Sequence, residues 1–144
     1  MNGFLLDVNV LIALIDPAHV QHDRAHDWFA TLGQRSWSTC PLTENGALRI
    51  ASHSSYPNST GSPAAIVESL KVLRGLGGHR FWPDDISLLD PHLVDSSRLL
   101  TSGQITDTYL LALAKANRGQ LATFDRHLVM DAVLDGAQSL HLIR

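Results

Sequence analysis

The sequence predicts an α/β fold: a central, mostly parallel sheet flanked by helices in a three-layer sandwich, as one domain over residues 1–144. Three observations carry this reading. Short apolar runs alternate with stretches of helical periodicity along nearly the whole chain, the pattern of strand–helix units and a parallel sheet. With 144 residues, 44% hydrophobic and 17% charged, the chain can bury a full core without disulfides or a structural metal. No repeat, linker or low-complexity tract interrupts it.

The first strand is Phe4 to Leu6, a short apolar run that ends at Asp7. Val8 to Ile15 stays apolar and closes at Asp16-Pro17; with Asn9 as a cap, Val10, Leu11, Ala13 and Leu14 form a helical stripe. Ala18 to Leu32 reads as a helix with Val20, Ala25, Trp28, Phe29 and Leu32 inward, ended by Gly33. Ser36 to Cys40 is a strand. Pro41 opens a helix through about Ala51, with Glu44 in its first turn. His53 to Pro63, rich in Ser, Asn, Gly and Pro, is a loop. Pro63 to Leu76 is a helix stopped by Gly75, Gly77 and Gly78.

Ile86 to Leu89 reads as the third strand. Asp90-Pro91 then starts a helix to about Leu100. Thr106 caps the next helix, Asp107 to Asn117, whose Leu110 to Ala114 run is apolar nearly all round and therefore buried. Gln120 to Thr123 is a strand, Arg126 to Leu134 a helix, and Leu140 to Ile143 a closing strand.

Composition bounds the setting. The lone cysteine, Cys40, has no internal partner and fits a reducing compartment. The N-terminal apolar run is short, is broken by Asp7 and Asn9, and lacks a basic flank, so it is neither a signal peptide nor a membrane span. A cytoplasmic protein without a membrane contact is expected. The formal net charge of −3 argues mildly against a nucleic-acid binder. Acids gathered around a cation would lose much of that repulsion, however.

Four acids share one feature. Asp7 ends the first strand, Glu44 and Asp107 lie in first turns of helices, and Asp125 follows the strand Gln120 to Thr123. In a parallel sheet, strand C-termini and the following helix N-termini meet at one edge, where ligands bind. The four can therefore converge into an acidic pocket. Such a pocket suits Mg²⁺ or Mn²⁺, which prefer oxygen ligands, and metal-assisted hydrolysis of phosphodiesters. Taken singly, Glu44 and Asp107 read first as complements to a helix dipole, and Asp125 as a cap; the combination points to a site. Asp7 is harder to dismiss, because a lone acid in an apolar run is costly to bury.

Four segments, LLDVNVLIAL at Leu5 to Leu14, CPLTENGALR at Cys40 to Arg49, ITDTYLLALA at Ile105 to Ala114 and LATFDRHL at Leu121 to Leu128, carry a resemblance. In their order and spacing the chain resembles the PIN-domain ribonucleases, and among them the VapC toxins of toxin–antitoxin pairs. The resemblance implies a PIN-like sandwich and an endoribonuclease dependent on Mg²⁺ or Mn²⁺. Asp7, Glu44, Asp107 and Asp125 would be its catalytic acids, with Asp7, Asp107 and Asp125 as metal ligands and Glu44 completing the pocket through water. Asn9 and Thr123 would orient those ligands by hydrogen bonds. It also implies a VapB-like antitoxin and a homodimer. Alternatives are a structure-specific or DNA-directed nuclease with the same acids, or a non-catalytic protein-binding module.

Other residues carry weaker signals. Arg49 and Arg126 lie close in sequence to site acids and are candidate RNA contacts, or else ion-pair partners of those acids. His22 and His26, four apart, are a possible metal pair or a solvated helix face. His127 follows the fourth acid. Trp28, Trp37 and Trp82 read as core or interface residues, and Trp28 with Phe29 as core or as anchors for an antitoxin. Gly75 to Gly78 lacks the Lys-Ser/Thr of a phosphate-binding loop.

Overall fold

A computed structural model describes residues 1–58 and 61–144; Ser59 and Thr60, inside the expected loop, lie outside the described residues. Five short strands pair in parallel in the order β3-β2-β1-β4-β5: β1 (Phe4–Leu6), β2 (Trp37–Thr39), β3 (His79–Phe81), β4 (Gln120–Thr123) and β5 (Leu140–Leu142). The helices are α1 (Val8–Ile15), α2 (His22–Thr31), α3 (Pro41–Ala51), α4 (Pro63–Arg74) and α5 (Ile105–Ala116).

Strand alternation sorts the apolar residues into two cores. Phe4 and Leu6 of β1 join residues of α1 to α4 on one face. Leu5, between them, joins α5 and the segments around Trp82, Val94 and Val133 on the other. This is the expected three-layer sandwich. α5 is buried through Leu110 to Ala114 as expected, and each fully buried leucine there contributes about 1.5–3 kcal/mol. Trp37 and Trp82 are core.

Several boundaries differ from the sequence expectation. The N-cap of α1 is Asp7, not Asn9: its carboxylate accepts from the Val8 amide at 2.7 Å. α2 begins at His22 rather than Ala18, and Val20, expected inward, is 94% exposed. Leu32 is likewise exposed past the helix end. α5 starts at Ile105, so Thr106 is not its cap. A 3-10 turn over Ser102–Gln104 leads into it, begun by a reciprocal cap between Thr101 and Gln104.

Three expected elements are absent from the described residues. Ile86 to Leu89 is not a strand; Ile86 and Leu88 pack from an irregular segment onto the α5-side core. The third strand is His79–Phe81, a polar edge strand without the apolar alternation that would announce it. Gly78 leads into it at φ +88°, where any side chain would strike the Gln34 carbonyl. The helix expected from Asp90 is replaced by turns, closed by Asp90 Oδ1 accepting from the His92 amide at 2.9 Å. The segment then runs through a 3-10 turn at Ser96–Arg98. The helix expected over Arg126 to Leu134 is also a series of turns, and Val133 instead bridges Val94 in antiparallel fashion. In both segments side chains offer the backbone local partners that compete with a helix. No described helix is long and apolar enough to cross a membrane.

Candidate active site

Asp7 leaves the C-terminal end of β1 and is almost fully buried, at 7% exposure. Both carboxylate oxygens are engaged: Oδ1 accepts from the Val8 amide, and Oδ2 from the Thr123 hydroxyl at 2.7 Å. Thr123, the last residue of β4, is the hub of this end. Its oxygen also accepts from Asn9 Nδ2 at 3.2 Å and from the Asp125 amide at 3.1 Å. Those two partners can only donate, so the hydroxyl's single proton must point at Asp7. Asn9 is fixed in turn, because its Oδ1 accepts from the Phe124 amide at 3.4 Å. Asp125 Oδ1 accepts from the His127 amide at 2.8 Å, closing a turn rather than capping a helix.

Asp107, in the first turn of α5, completes a three-acid cluster. Its pKa is pushed up to about 6 by burial, then by the charges of Asp7 and Asp125. Burial also raises Asp7, against the Thr123 and Val8 hydrogen bonds, and Asp125 adds to the rise. Burial is thus the first cause of both rises, and the neighbouring negative charges add to it. No described Lys or Arg pairs with any of the three.

Glu44 is held differently. Gly46, two residues on, lets α3 close on α1: a side-chain carbon there would stand 2.7 Å from Val8 Cγ2. Glu44 Oε2 lies 3.1 Å from Arg74 Nη1 and accepts from the Thr39 hydroxyl at 2.6 Å. Thr39 also meets His79 Nε2 at 2.8 Å. Since the Thr39 proton goes to the carboxylate, His79 must be the donor there, which fixes its Nε2–H tautomer. Burial, then Arg74, lowers the His79 pKa against the pull of Glu44. The fourth acid is thus charge-compensated by a residue from the end of α4.

Among the described residues, no three His, Cys, Asp or Glu side chains stand close enough to form a ready-made ligand set. Asp7, Asp107 and Asp125 nevertheless form an all-oxygen, uncompensated group. It fits a small hard cation such as Mg²⁺, which takes one or two carboxylates directly and keeps several waters.

Sequence reasoning missed Arg74, His79 and Asp84. Asp84 accepts from the Leu42 amide at 3.0 Å and from the Tyr109 hydroxyl at 2.9 Å, so it caps α3 from outside and ties it to α5. These partners lie 42 and 25 positions away in sequence, beyond any local pattern. Arg49 and Arg126 are exposed and form no ion pair among the described residues, so the expected pairing to a neighbouring acid does not occur.

His22 is half-buried and His26 lies on the exposed face of α2. Their rings lie 4.3 Å apart and hydrogen-bond the Ala13 and Leu14 carbonyls at 2.7 and 2.8 Å, satisfying the end of α1. Phe29 is core, and Trp28 is half-buried with its indole donating to His141 Nε2 at 2.9 Å; neither is a free anchor. Burial raises the Cys40 thiol to about 11, which leaves it inert. A cavity of about 240 Å³ between Ile15, Ala51, Tyr56 and Ile66 lies apart from the acids. Its Asp16 is already satisfied by Tyr56, Asn58 and the Ala18 amide.

Comparisons with known proteins bear on this geometry. The family model described as PIN domain matches residues 4–132. Ribonuclease VapC44 of Mycobacterium tuberculosis is 42% identical over 141 residues, 96% of this chain and 96% of its own length. Ribonuclease VapC39 of the same organism is 41% identical over 128 residues, covering 89% and 92%. The crystal structure of Mycobacterium tuberculosis VapC20, described as a sarcin-ricin loop cleaving toxin, superimposes with a TM-score of 0.64. It does so at 12% identity, over 92% of this chain and 98% of that one, a likeness of fold alone.

Proposed function

The chain belongs to the PIN domain family, and from that premise we propose that it is an endoribonuclease dependent on Mg²⁺ or Mn²⁺, the toxin of a VapBC-type pair. The observation that carries the reading is the convergence of Asp7, Asp107 and Asp125 without a compensating cation, expressed in the raised pKa of Asp107. Asp7, Asp107 and Asp125 would hold the metal, and Glu44 would complete the pocket. The metal supplies Lewis acidity, acidifying water and offsetting the charge of the attacked phosphodiester. The chain's own part is orientation. Thr123 holds Asp7 by its proton and is itself held by Asn9, which fixes the orientation in which the carboxylate would meet a cation. The N-terminus of α5 beneath Asp107 would favour its ionised form as a ligand.

The names of the relatives, each a ribonuclease VapC, support RNA as substrate and a VapB-like antitoxin as partner; a cytoplasmic site of action and a homodimer are part of the same proposal. An antitoxin arginine fits the acidic pocket, where it would make bidentate bonds to two carboxylates and exclude metal. The test is cleavage of matched RNA and DNA oligonucleotides with Mg²⁺, with Mn²⁺ and with EDTA. RNA cleavage that EDTA abolishes is expected. Cleavage of DNA alone would support a DNA-directed nuclease, and no cleavage at all would leave a binding module.

A further inference from the structure

One basic side chain at the strand C-terminal edge is fixed in place yet has no carboxylate partner. Arg24, in the first turn of α2, lays its guanidinium over the Phe124 ring, 5.2 Å from the centroid. Its Nη2 donates to the Ile143 carbonyl at 3.3 Å. Phe124 stands between Thr123 and Asp125 and gives its amide to Asn9. Ile143 gives its own amide to the Thr123 carbonyl at 2.9 Å. Both contacts therefore anchor Arg24 to residues next to the Thr123 hub, Phe124 in sequence and Ile143 by its amide.

Arg24 is exposed and forms no ion pair among the described residues. Arg74, the other ordered guanidinium near a site acid, is already neutralised by Glu44. Of the five N–H donors of Arg24, the Ile143 carbonyl engages one. A guanidinium stacked on an aromatic face, with free donors and uncompensated charge, is preorganised for a phosphate oxygen. A residue that served only to tie β5 to α2 would need neither the free donors nor the exposed charge.

We infer that Arg24 grips a backbone phosphate of the RNA strand flanking the cleaved bond, on the Asp125 side of the pocket. This rests on the ribonuclease reading and adds to it the residue that offsets the acidic surface for substrate. The contact is to phosphate, so it holds RNA and DNA strands alike and carries no base preference.

The test uses the full chain carrying Asp7→Asn, chosen to suppress cleavage, and a fluorescent single-stranded RNA in buffer without divalent ions. Affinity is measured by anisotropy across a series of KCl concentrations. Each phosphate contact contributes about 0.7 to the slope of log affinity against log salt for a single strand. Arg24→Gln is expected to lower the slope by about 0.7 and to weaken binding, on RNA and on a matched DNA. Arg24→Lys is expected to keep the slope. An unchanged slope in Arg24→Gln overturns the inference. Should that variant not fold, arginine modification by phenylglyoxal of the unsubstituted Arg24 decides. RNA should protect Arg24 but not Arg98, and equal modification of Arg24 with and without RNA overturns the proposal. A chain that cleaves RNA normally while Arg24 fails both tests refutes only this contact; a chain that neither binds nor cleaves RNA refutes the ribonuclease reading beneath it.

Discussion

The two halves of the sheet's C-terminal edge treat their acids in opposite ways. On the β2–β3 side, Glu44 is met by Arg74, by the Thr39 hydroxyl and, through it, by His79. On the β1–β4 side, Asp7 and Asp125 accept from neutral donors, and Asp107 feels the negative charges of both. The first half is electrostatically closed; in the second, no Lys or Arg among the described residues pairs with the acids. Buried or half-buried carboxylates without a counter-charge raise their pKa values, and a divalent cation reverses that logic. The cation is therefore expected in the β1–β4 half, while Glu44 takes a supporting place at its border.

The largest effect should come from the open half. Asp7→Asn keeps shape and removes charge, and is expected to cut RNA cleavage at least ~100-fold, a loss of about 2.7 kcal/mol of transition-state stabilisation. The metal-free variant should unfold at the same or a higher temperature, because one member of a repelling cluster is gone. A markedly lower midpoint would mean that Asp7 is structural.

Next in size is the hub. Thr123→Val keeps volume but orphans Asp7 Oδ2, Asn9 Nδ2 and the Asp125 amide. About 1–3 kcal/mol of stability should be lost for each group that finds no new partner, read as a lowered midpoint in thermal unfolding. Cleavage should fall by roughly tenfold or more, as for other supports of metal ligands. Thr123→Ser, which keeps the proton, should restore most of both; rescue that fails would show that the methyl group, not the hydroxyl, matters.

A pH effect follows from Asp107. Its folded pKa of about 6 exceeds its ordinary value of 3.8, so the native chain binds this proton more tightly than the unfolded one. Below about pH 4 both states are protonated. Between about pH 4 and 6 the unfolded chain releases the proton first, so metal-free stability falls as pH rises through that window. Asp107→Asn should flatten that part of the stability profile, measured by denaturant unfolding. Mn²⁺ affinity should rise over the same range, because metal and proton compete for the carboxylates.

The smallest effect belongs to the closed half. The Arg74 and Glu44 side chains are 43% and 20% exposed, and a pair so placed contributes roughly 1 kcal/mol or less. Arg74→Met should leave the unfolding midpoint within a few degrees and cleavage within about tenfold of the unsubstituted chain. A loss as large as that of Asp7→Asn would break the contrast between the halves.

How much of this was legible in the sequence depended on range. β1, β2, α3, α5 and β4 were readable because apolar runs, Pro41 and the buried Leu110 to Ala114 stripe are local signals. β3 was not, because an edge strand of His79, Arg80 and Phe81 needs no apolar pattern. The helices expected after Asp90 and Asp125 do not form, because the bond each aspartate accepts from the amide two residues on suits a turn as well as a helix cap, and the chain continues in turns. The expectation that Asp7, Glu44, Asp107 and Asp125 lie at one edge came from strand ends and helix starts, since a parallel sheet gathers these at the same side. The pairing of Glu44 with Arg74 and the bridge from Asp84 to Leu42 and Tyr109 depend on tertiary packing across tens of residues.

The central claim is that the cation site lies in the uncompensated half. Calorimetric titration of Mn²⁺ into the unsubstituted chain, Asp107→Asn and Glu44→Gln tests it most directly. Removing a direct carboxylate ligand should cost far more affinity than removing one that acts through water. Asp107→Asn is expected to weaken binding by at least about tenfold and Glu44→Gln by less than about threefold. The reverse order, or Mn²⁺ binding that neither substitution changes, would contradict the account.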